Sequence, residues 1–401
     1  MLVHQWRLYE EIFDSHVFPI ESDTYFALNV LRQQDLSKPI VLSPLSITMS
    51  CASLSLCTEG KTKRQIVEAM FPSIYFSKSF LPYWIEKYNK MILLYESALI
   101  FEGNISFASH LHSIKDLKER HYPLPSCAKV VVTNFDEKAE AIELINDRMS
   151  KATRKLIKDI VALDDIKDDT DAILASGTQI TGLWEESFSI EETTAGEFYS
   201  SPYSKRSVYY LSKQFTTKFA ENDLFQVVRI KLRDYTFSLD VFLPRERFGL
   251  NAALGNLTMD NIQELFKKCK NKLVHVKIPK FRMETTLDLK DSLQAIGVRR
   301  VFKSGKAQFG TNRTIREKFG HLFDSNPTNE LRCLSQMPHK AVFEIDEYGV
   351  NRDPIYAVSE SPSSSSSTTS VSEKAVSLEA NHPFMYMIVK HGHIIMMGVY
   401  N

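Results

Sequence analysis

A polar stretch that no packed core can absorb lies between two strongly apolar segments near the C-terminus, and it constrains the fold more than any other feature of the chain. The run from His339 through Val342, Phe343 and Ile345 reads as a strand that stops at Gly349, where the backbone can turn freely. Residues 359–373 are mostly Ser and Thr, with little to bury, so they are expected outside as a mobile tract. From Pro383 the chain is apolar again, through Phe384 to Val389 and then Ile394 to Val399. This order predicts a strand, a long exposed loop at about 348–380, and further strands. Long loops inside a domain are uncommon and often functional.

With 401 residues and 43% apolar content there is material for a large core. Only residues 359–373 could act as a linker, so a single domain over 22–401 is expected, with 1–21 as an N-terminal extension or lead-in to the first helix. The 49 basic and 49 acidic side chains balance, which points to neither nucleic acid nor an anionic membrane. No apolar run is long enough to span a bilayer, and the first residues are broken by His4, Gln5, Arg7 and Glu10 before a signal-peptide core can form. The expectation is a soluble monomer, cytoplasmic or secreted without a leader, while the sequons at Asn104, Asn256 and Asn312 keep an extracellular location open.

The periodicities predict helices first and strands later. Ser22 or Asp23 is expected to cap a helix with Phe26, Ala27, Val30 and Leu31 on one face. Further helices are expected at Ser46–Cys57, Lys63–Met70, across 137–160, and at Asp288–Ile296 with Gly297 as a left-handed stop. Phe237, Leu239, Val241 and Leu243 alternate with polar residues, as do Val274, Val276 and Ile278, which predicts half-buried strands. A final hairpin is expected to turn at Lys390-His391-Gly392.

Enzyme motifs are missing. There is no G-x-S-x-G, H-E-x-x-H or G-x-G-x-x-G, and Gly60-Lys61-Thr62 fails as a phosphate loop because Ser55 stands where the upstream glycine is needed. His391 and His393 could share a strand face as metal ligands, but with no third ligand nearby an exposed hairpin end is the expectation, so no metal or cofactor is assigned. Cys51, Cys57, Cys127, Cys269 and Cys333 are odd in number and scattered, which fits buried thiols better than disulfides. Lys151, Arg154, Lys155 and Lys158, and separately Lys267, Lys268, Lys270 and Lys272, are two basic groups that could attract a sulfated polysaccharide. A solvated helix face and a basic turn are the expected reading.

Several motifs, in order along the chain, resemble those of the serpin family. They include Leu42-Ser43-Pro44-Leu45-Ser46-Ile47, Gly60-Lys61-Thr62 with Gln65-Ile66, Ile145-Asn146 with Thr153-Arg154-Lys155-Leu156-Ile157, and Thr181-Gly182-Leu183-Trp184 with Phe188. Later come Leu239 to Pro244, Ile278-Pro279-Lys280-Phe281, Leu293 to Val298, His339-Lys340-Ala341 with Glu344, Glu347 and Gly349, and Asn381-His382-Pro383-Phe384. The resemblance implies an α+β fold of three β-sheets with about eight or nine helices and an exposed reactive-centre loop.

The resemblance also implies a mechanism: a serine protease, or a cysteine protease, attacks the loop and is acylated, and the cut loop inserts as a central strand. Such a protein is a suicide substrate and not an enzyme. The loop hinge would comprise Glu347, Gly349, Val350, Arg352 and Pro354. Trp184 would pack at the top of the main sheet, the breach, where the loop enters. Ser43, Ser46, Ser176 and His339 would form the shutter at its middle, with Ser176 where the family has Asn. Counting from Glu347 puts the scissile bond at Ser363-Ser364. Counting back from Pro383 puts it between Thr369 and Lys374, which takes in Val371 and Ser372. Inserted, alternate residues from Val350 would face the core, so Arg352 and Pro354 oppose insertion while Asn351 would face outward and matter less. The alternative is a non-inhibitory serpin serving as a binding, carrier or storage protein.

Overall fold

Eighteen consecutive residues, Ser204–Glu221, form the strand that ties the architecture together. The structure, a computed structural model, describes residues 20–71, 103–113, 128–153, 155–233, 237–309, 333–351, 375–390 and 393–401. The first described elements are α1 (Ile20–Arg32), β1 (Ile40–Leu42), α2 (Pro44–Leu56), α3 (Gly60–Met70), β2 (Gly103–Ser113), β3 (Ala128–Val132) and α4 (Lys138–Ala152). Next come β4 (Ala172–Leu183), β5 (Thr194–Ser201), β6 (Ser204–Glu221), β7 (Phe225–Lys231), β8 (Phe237–Pro244), α5 (Leu250–Asn256), α6 (Met259–Lys268), β9 (Lys270–Pro279) and β10 (Phe281–Asp288). The last are α7 (Lys290–Ala295), β11 (Pro338–Ile345), β12 (Gly349–Val350), β13 (Val376–Glu379), β14 (Phe384–Lys390) and β15 (His393–Tyr400).

The described strands make an α+β fold of two hydrogen-bonded sheets. One has six strands in the order β10-β11-β12-β4-β2-β3, and the other has nine, β1-β15-β14-β8-β7-β6-β9-β13 with β5 on β6. Two of the three expected sheets are joined in the second because β6 pairs with β5 near its start and with β7 near its end. The two sheets meet face to face through aromatic rings. Phe343 of β11 stacks on Tyr386 of β14 at 4.8 Å, and Phe281 packs on Tyr400 at 4.6 Å.

α2 runs through the middle of this core, buried from Pro44 to Ser55. Pro44 at its first turn is preset for helix, and the Ser43 hydroxyl accepts the Ser46 amide as a cap. Three of its buried serines are satisfied locally: the Ser50 and Ser53 hydroxyls each donate 2.8 Å to the carbonyl four residues back, and Ser55 donates 2.6 Å to the Ala52 carbonyl. α1 buries Phe26, Ala27, Val30 and Leu31 as its spacing requires, but it is already helical at Ile20, so Ser22 and Asp23 lie in its first turn and do not cap it.

Two further expectations need correction. β8 is buried along its whole length instead of alternating, because Asp240 on its polar side is taken up by Arg229, Nε to Oδ1 at 2.8 Å and Nη2 to Oδ2 at 2.5 Å. The helix expected across 137–160 ends at Ala152. There the Thr153 hydroxyl bonds the Met149 carbonyl and accepts the Ile157 amide, and Lys155 turns left-handed at φ 68°. The segment after it, with α4, packs Met149, Ile157, Ile160 and Val161 over Ile173, Ala175 and Val342 of the six-stranded sheet. Gly177 permits that approach, since a Cβ there would lie 2.6 Å from Ile157 Cδ1.

Candidate functional site

β4 and β11 run parallel in the six-stranded sheet, yet they pair directly only at His339 with Ser176, Lys340 with Gly177 and Ala341 with Thr178. Beyond that point the seam forks. β12 fills the upper opening, antiparallel to both neighbours, with Val350 opposite Ile345 on one side and Gly182 on the other. The turn that delivers it is held by Asp346, whose Oδ1 accepts the Tyr348 amide at 2.8 Å and the Gly349 amide at 3.0 Å. Only glycine fits at 349, because any Cβ would strike the Gly182 carbonyl oxygen. Val350 is fully buried there.

The next residue closes the fork. The Asn351 amide donates 2.8 Å to the Glu344 carbonyl, and its backbone is left-handed at φ 43°. Its side-chain Nδ2 donates 2.7 Å to the Ile180 carbonyl on β4 and 3.1 Å to the Val342 carbonyl on β11. Asn351 is therefore buried between the strands, contrary to the expectation that it faces outward.

Above the fork, Trp184 is wholly buried beside Gly349. Its amide donates to the Tyr348 carbonyl and its indole Nε1 to the Asp346 carbonyl, each at 2.8 Å. Glu347 is also buried. Lys280 Nζ reaches its Oε2 at 2.7 Å, Thr193 donates to its Oε1 at 3.1 Å, and its carbonyl accepts the Phe188 amide at 2.8 Å. Burial alone would raise this carboxyl's pKa, but the hydrogen bonds from Lys280 and Thr193 outweigh burial and hold it below the ordinary value.

Below the fork, His339 is wholly buried and its ring nitrogen Nε2 accepts the Ser43 amide at 3.0 Å. An amide can only donate, so the neutral ring carries its proton on Nδ1, which lies 3.0 Å from Ser176 Oγ. Ser43 Oγ in turn donates 2.7 Å to the Ile395 carbonyl, which ties the six-stranded sheet to β15. Burial pushes the His339 pKa down to about 3. Ser176 thus reaches the histidine, whereas the buried Ser46 hydroxyl has no partner among the described residues and only the Ser46 amide joins the group. Lys340 closes this level from outside, its Nζ 2.9 Å from the Asp159 carbonyl and 2.7 Å from Glu284 Oε1.

Arg352, Pro354 and the candidate scissile residues Ser363, Ser364, Thr369, Val371, Ser372 and Lys374 lie outside the described residues, as do Cys127, His391 and Asn312. Of the basic stripe expected on α4, Lys151 pairs with Asp147, Lys155 and Lys158 follow the helix end on an irregular segment, and Arg154 lies outside the described residues. Lys267 and Lys268 end α6 and Lys270 and Lys272 begin β9, but Lys268 is paired with Glu264 and Lys272 lies over the Phe219 ring. His393 is buried, not at an exposed end. Among the described residues no three His, Cys, Asp or Glu side chains are gathered to hold a metal, and Cys51, Cys57, Cys269 and Cys333 form no disulfide. No helix among them is long and apolar enough to cross a membrane.

Sequence reasoning missed Asn351, Lys280 and Thr193 as members of the site. Asn directly after Gly-Val was a readable signal, since Asn is the non-glycine residue that most readily turns left-handed. Nothing local marks Lys280 or Thr193, which reach Glu347 from 67 and 154 residues away.

A family model described as Serpin (serine protease inhibitor) matches residues 21–401. Mouse (Mus musculus) neuroserpin is 24% identical over 399 residues, covering 95% of this chain and 91% of that protein. Human (Homo sapiens) Serpin I2 is 25% identical over 397 residues, covering 94% and 90%. The crystal structure of native protease nexin-1 with heparin superposes with a TM-score of 0.77 at 21% identity, over 95% of this chain and 98% of that one.

Proposed function

Because the chain belongs to the serpin family, we propose that it inhibits a serine-type endopeptidase as a suicide substrate, with the loop after β12 as bait. The observation that carries this reading is the seating of Gly349 and Val350 between β4 and β11, where the loop already begins a new central strand. The protease nucleophile attacks a loop carbonyl, the new C-terminal fragment leaves as its amine, and an ester to the enzyme remains. Extension of β12 down the seam would then carry the acylated enzyme away from the loop's starting position before water cleaves the ester. In this reading Trp184, Asp346 and Glu347 hold the entrance, and His339, Ser43 and Ser176 hold the seam shut below it. The cut falls at Ser363-Ser364 or between Thr369 and Lys374, and a trypsin-like target would cut after Lys374.

A second reading, a non-inhibitory binding or carrier serpin, is favoured by what the register of β12 asks of the next residues. With Val350 opposite Gly182, position 352 shares the core-facing side and position 354 falls opposite Thr178. A guanidinium at the first and a residue without an N–H at the second both oppose a central strand. Incubation with trypsin-like, elastase-like and papain-like proteases tests the choice. An SDS-resistant adduct of protease and chain supports inhibition, while loop cleavage with no adduct at any ratio supports the second reading.

A further inference from the structure

We propose that Asn351 is a latch that sets how far the loop enters the sheet: its carboxamide bridges β4 and β11 at the apex of the fork and holds the hinge at two inserted residues. The proposal rests on the loop-insertion reading above and deepens it.

Register shows what the side chain displaces. Val350 stands opposite Gly182 and Ile345, and the Asn351 amide bonds the Glu344 carbonyl. A strand continued from there would set position 352 opposite Ile180 and position 353 opposite Val342. Those are the two residues whose carbonyls Asn351 Nδ2 occupies. One carboxamide, with two protons on one nitrogen, therefore takes the place of the next two backbone donors. Ile180 and Val342 are buried, so carbonyls left without a donor at this point would be costly.

The same geometry stops the strand. Left-handed φ at Asn351 turns the backbone out of the extended conformation that a further inserted residue needs. Just below, Ala341 and Thr178 already pair directly, so the seam is closed. Advance of the loop requires Asn351 to become extended, release both carbonyls and unzip that pairing. Retreat requires the loss of the same two bonds. The latch therefore resists movement in both directions.

Hydrogen–deuterium exchange on the full chain tests this, read on peptides spanning 344–351 in wild type, Asn351→Gly and Asn351→Asp. Glycine keeps the left-handed turn without the amide, and aspartate keeps the shape with acceptors only. Exchange of the hinge amides is expected to be about tenfold faster in Asn351→Gly than in wild type, and at least as fast in Asn351→Asp. Amides of β14 and β15 should be unchanged in both and report the intact fold. Wild-type protection in Asn351→Gly overturns the proposal, because the turn alone would then account for the seating.

A second arm nicks the loop by proteolysis in wild type and Asn351→Gly and follows the melting temperature with time. The latch predicts a faster rise in the variant, and equal rates of rise overturn its part in limiting advance. If neither chain's melting temperature moves, the loop-insertion reading fails and the exchange ranking alone decides whether the latch holds the hinge.

Discussion

Lys280 Nζ lies 2.7 Å from Glu347 Oε2, joining the β9–β10 connection to the turn that feeds β12 into the sheet. The two differ in environment: the Glu347 side chain is 6% exposed and that of Lys280 42%. Removing the lysine therefore leaves a carboxylate that water reaches poorly.

Lys280→Ala should destabilise the fold by ~1–2 kcal/mol at pH 7, the half-exposed lysine being partly screened. The Glu347 pKa is depressed in the fold, so its contribution is present above the unfolded carboxylate value and is lost as pH falls through the folded one. Urea unfolding at several pH values should show the gap between wild type and variant closing below about pH 4.

His339 gives the opposite end of the seam its own pH dependence. Its folded pKa of about 3 lies below the ordinary value, so the unfolded chain binds the proton more readily and stability falls as pH drops from about 6.5 towards 3. The expected slope from this group is roughly 1.4 kcal/mol per pH unit in that window. His339→Gln should be less stable at pH 7 but flatter between pH 6 and 4.5, and a parallel profile would remove the histidine as the cause.

Gly349→Ala places a methyl group against the Gly182 carbonyl, which is backbone on both sides and has little room to give. The substitution should drive β12 out of the sheet at a cost of ~1–3 kcal/mol. Emission from Trp184, now wholly buried, should shift to longer wavelength. An unshifted spectrum with unchanged stability would place the hinge elsewhere.

Limited digestion should cut first between Tyr348 and Asn381, where the sequence offers length, polarity and few groups to pack. Peptide mapping of the first products checks this. Initial cuts in the 60s or 150s would contradict it.

Much of the scaffold was legible where the signal is local. The apolar β11, the stop at Gly297 and the closing β14–β15 hairpin each follow from a few adjacent residues, and the structure has each of them, whereas the helix expected from Ser46 starts two residues earlier, at Pro44. The placement of Trp184 beside Gly349 and of His339 beside Ser43 and Ser176 came from motif resemblance, since no spacing rule brings residues that far apart together. What could not be read depended on distant partners. Asp240 is buried because Arg229 meets it across a strand pair, so β8 lost its expected alternation. Asn351 is buried because one carbonyl nine residues behind it and another 171 residues behind it converge on its side chain. The basic stripe from Lys151 to Lys158 is broken because the helix ends at Ala152, where the Thr153 hydroxyl bonds the Met149 carbonyl and accepts the Ile157 amide.

The most direct test of the central claim, that β12 is the start of a central strand whose advance is hindered by the next residues, is thermal unfolding of intact and loop-nicked protein, in wild type and in Arg352→Ala/Pro354→Ala. The account predicts a modest rise in melting temperature on nicking the wild type and a larger one in the double variant, as the loop runs down the seam between Ile180 and Val342. Melting curves that nicking leaves unshifted in both proteins would contradict it.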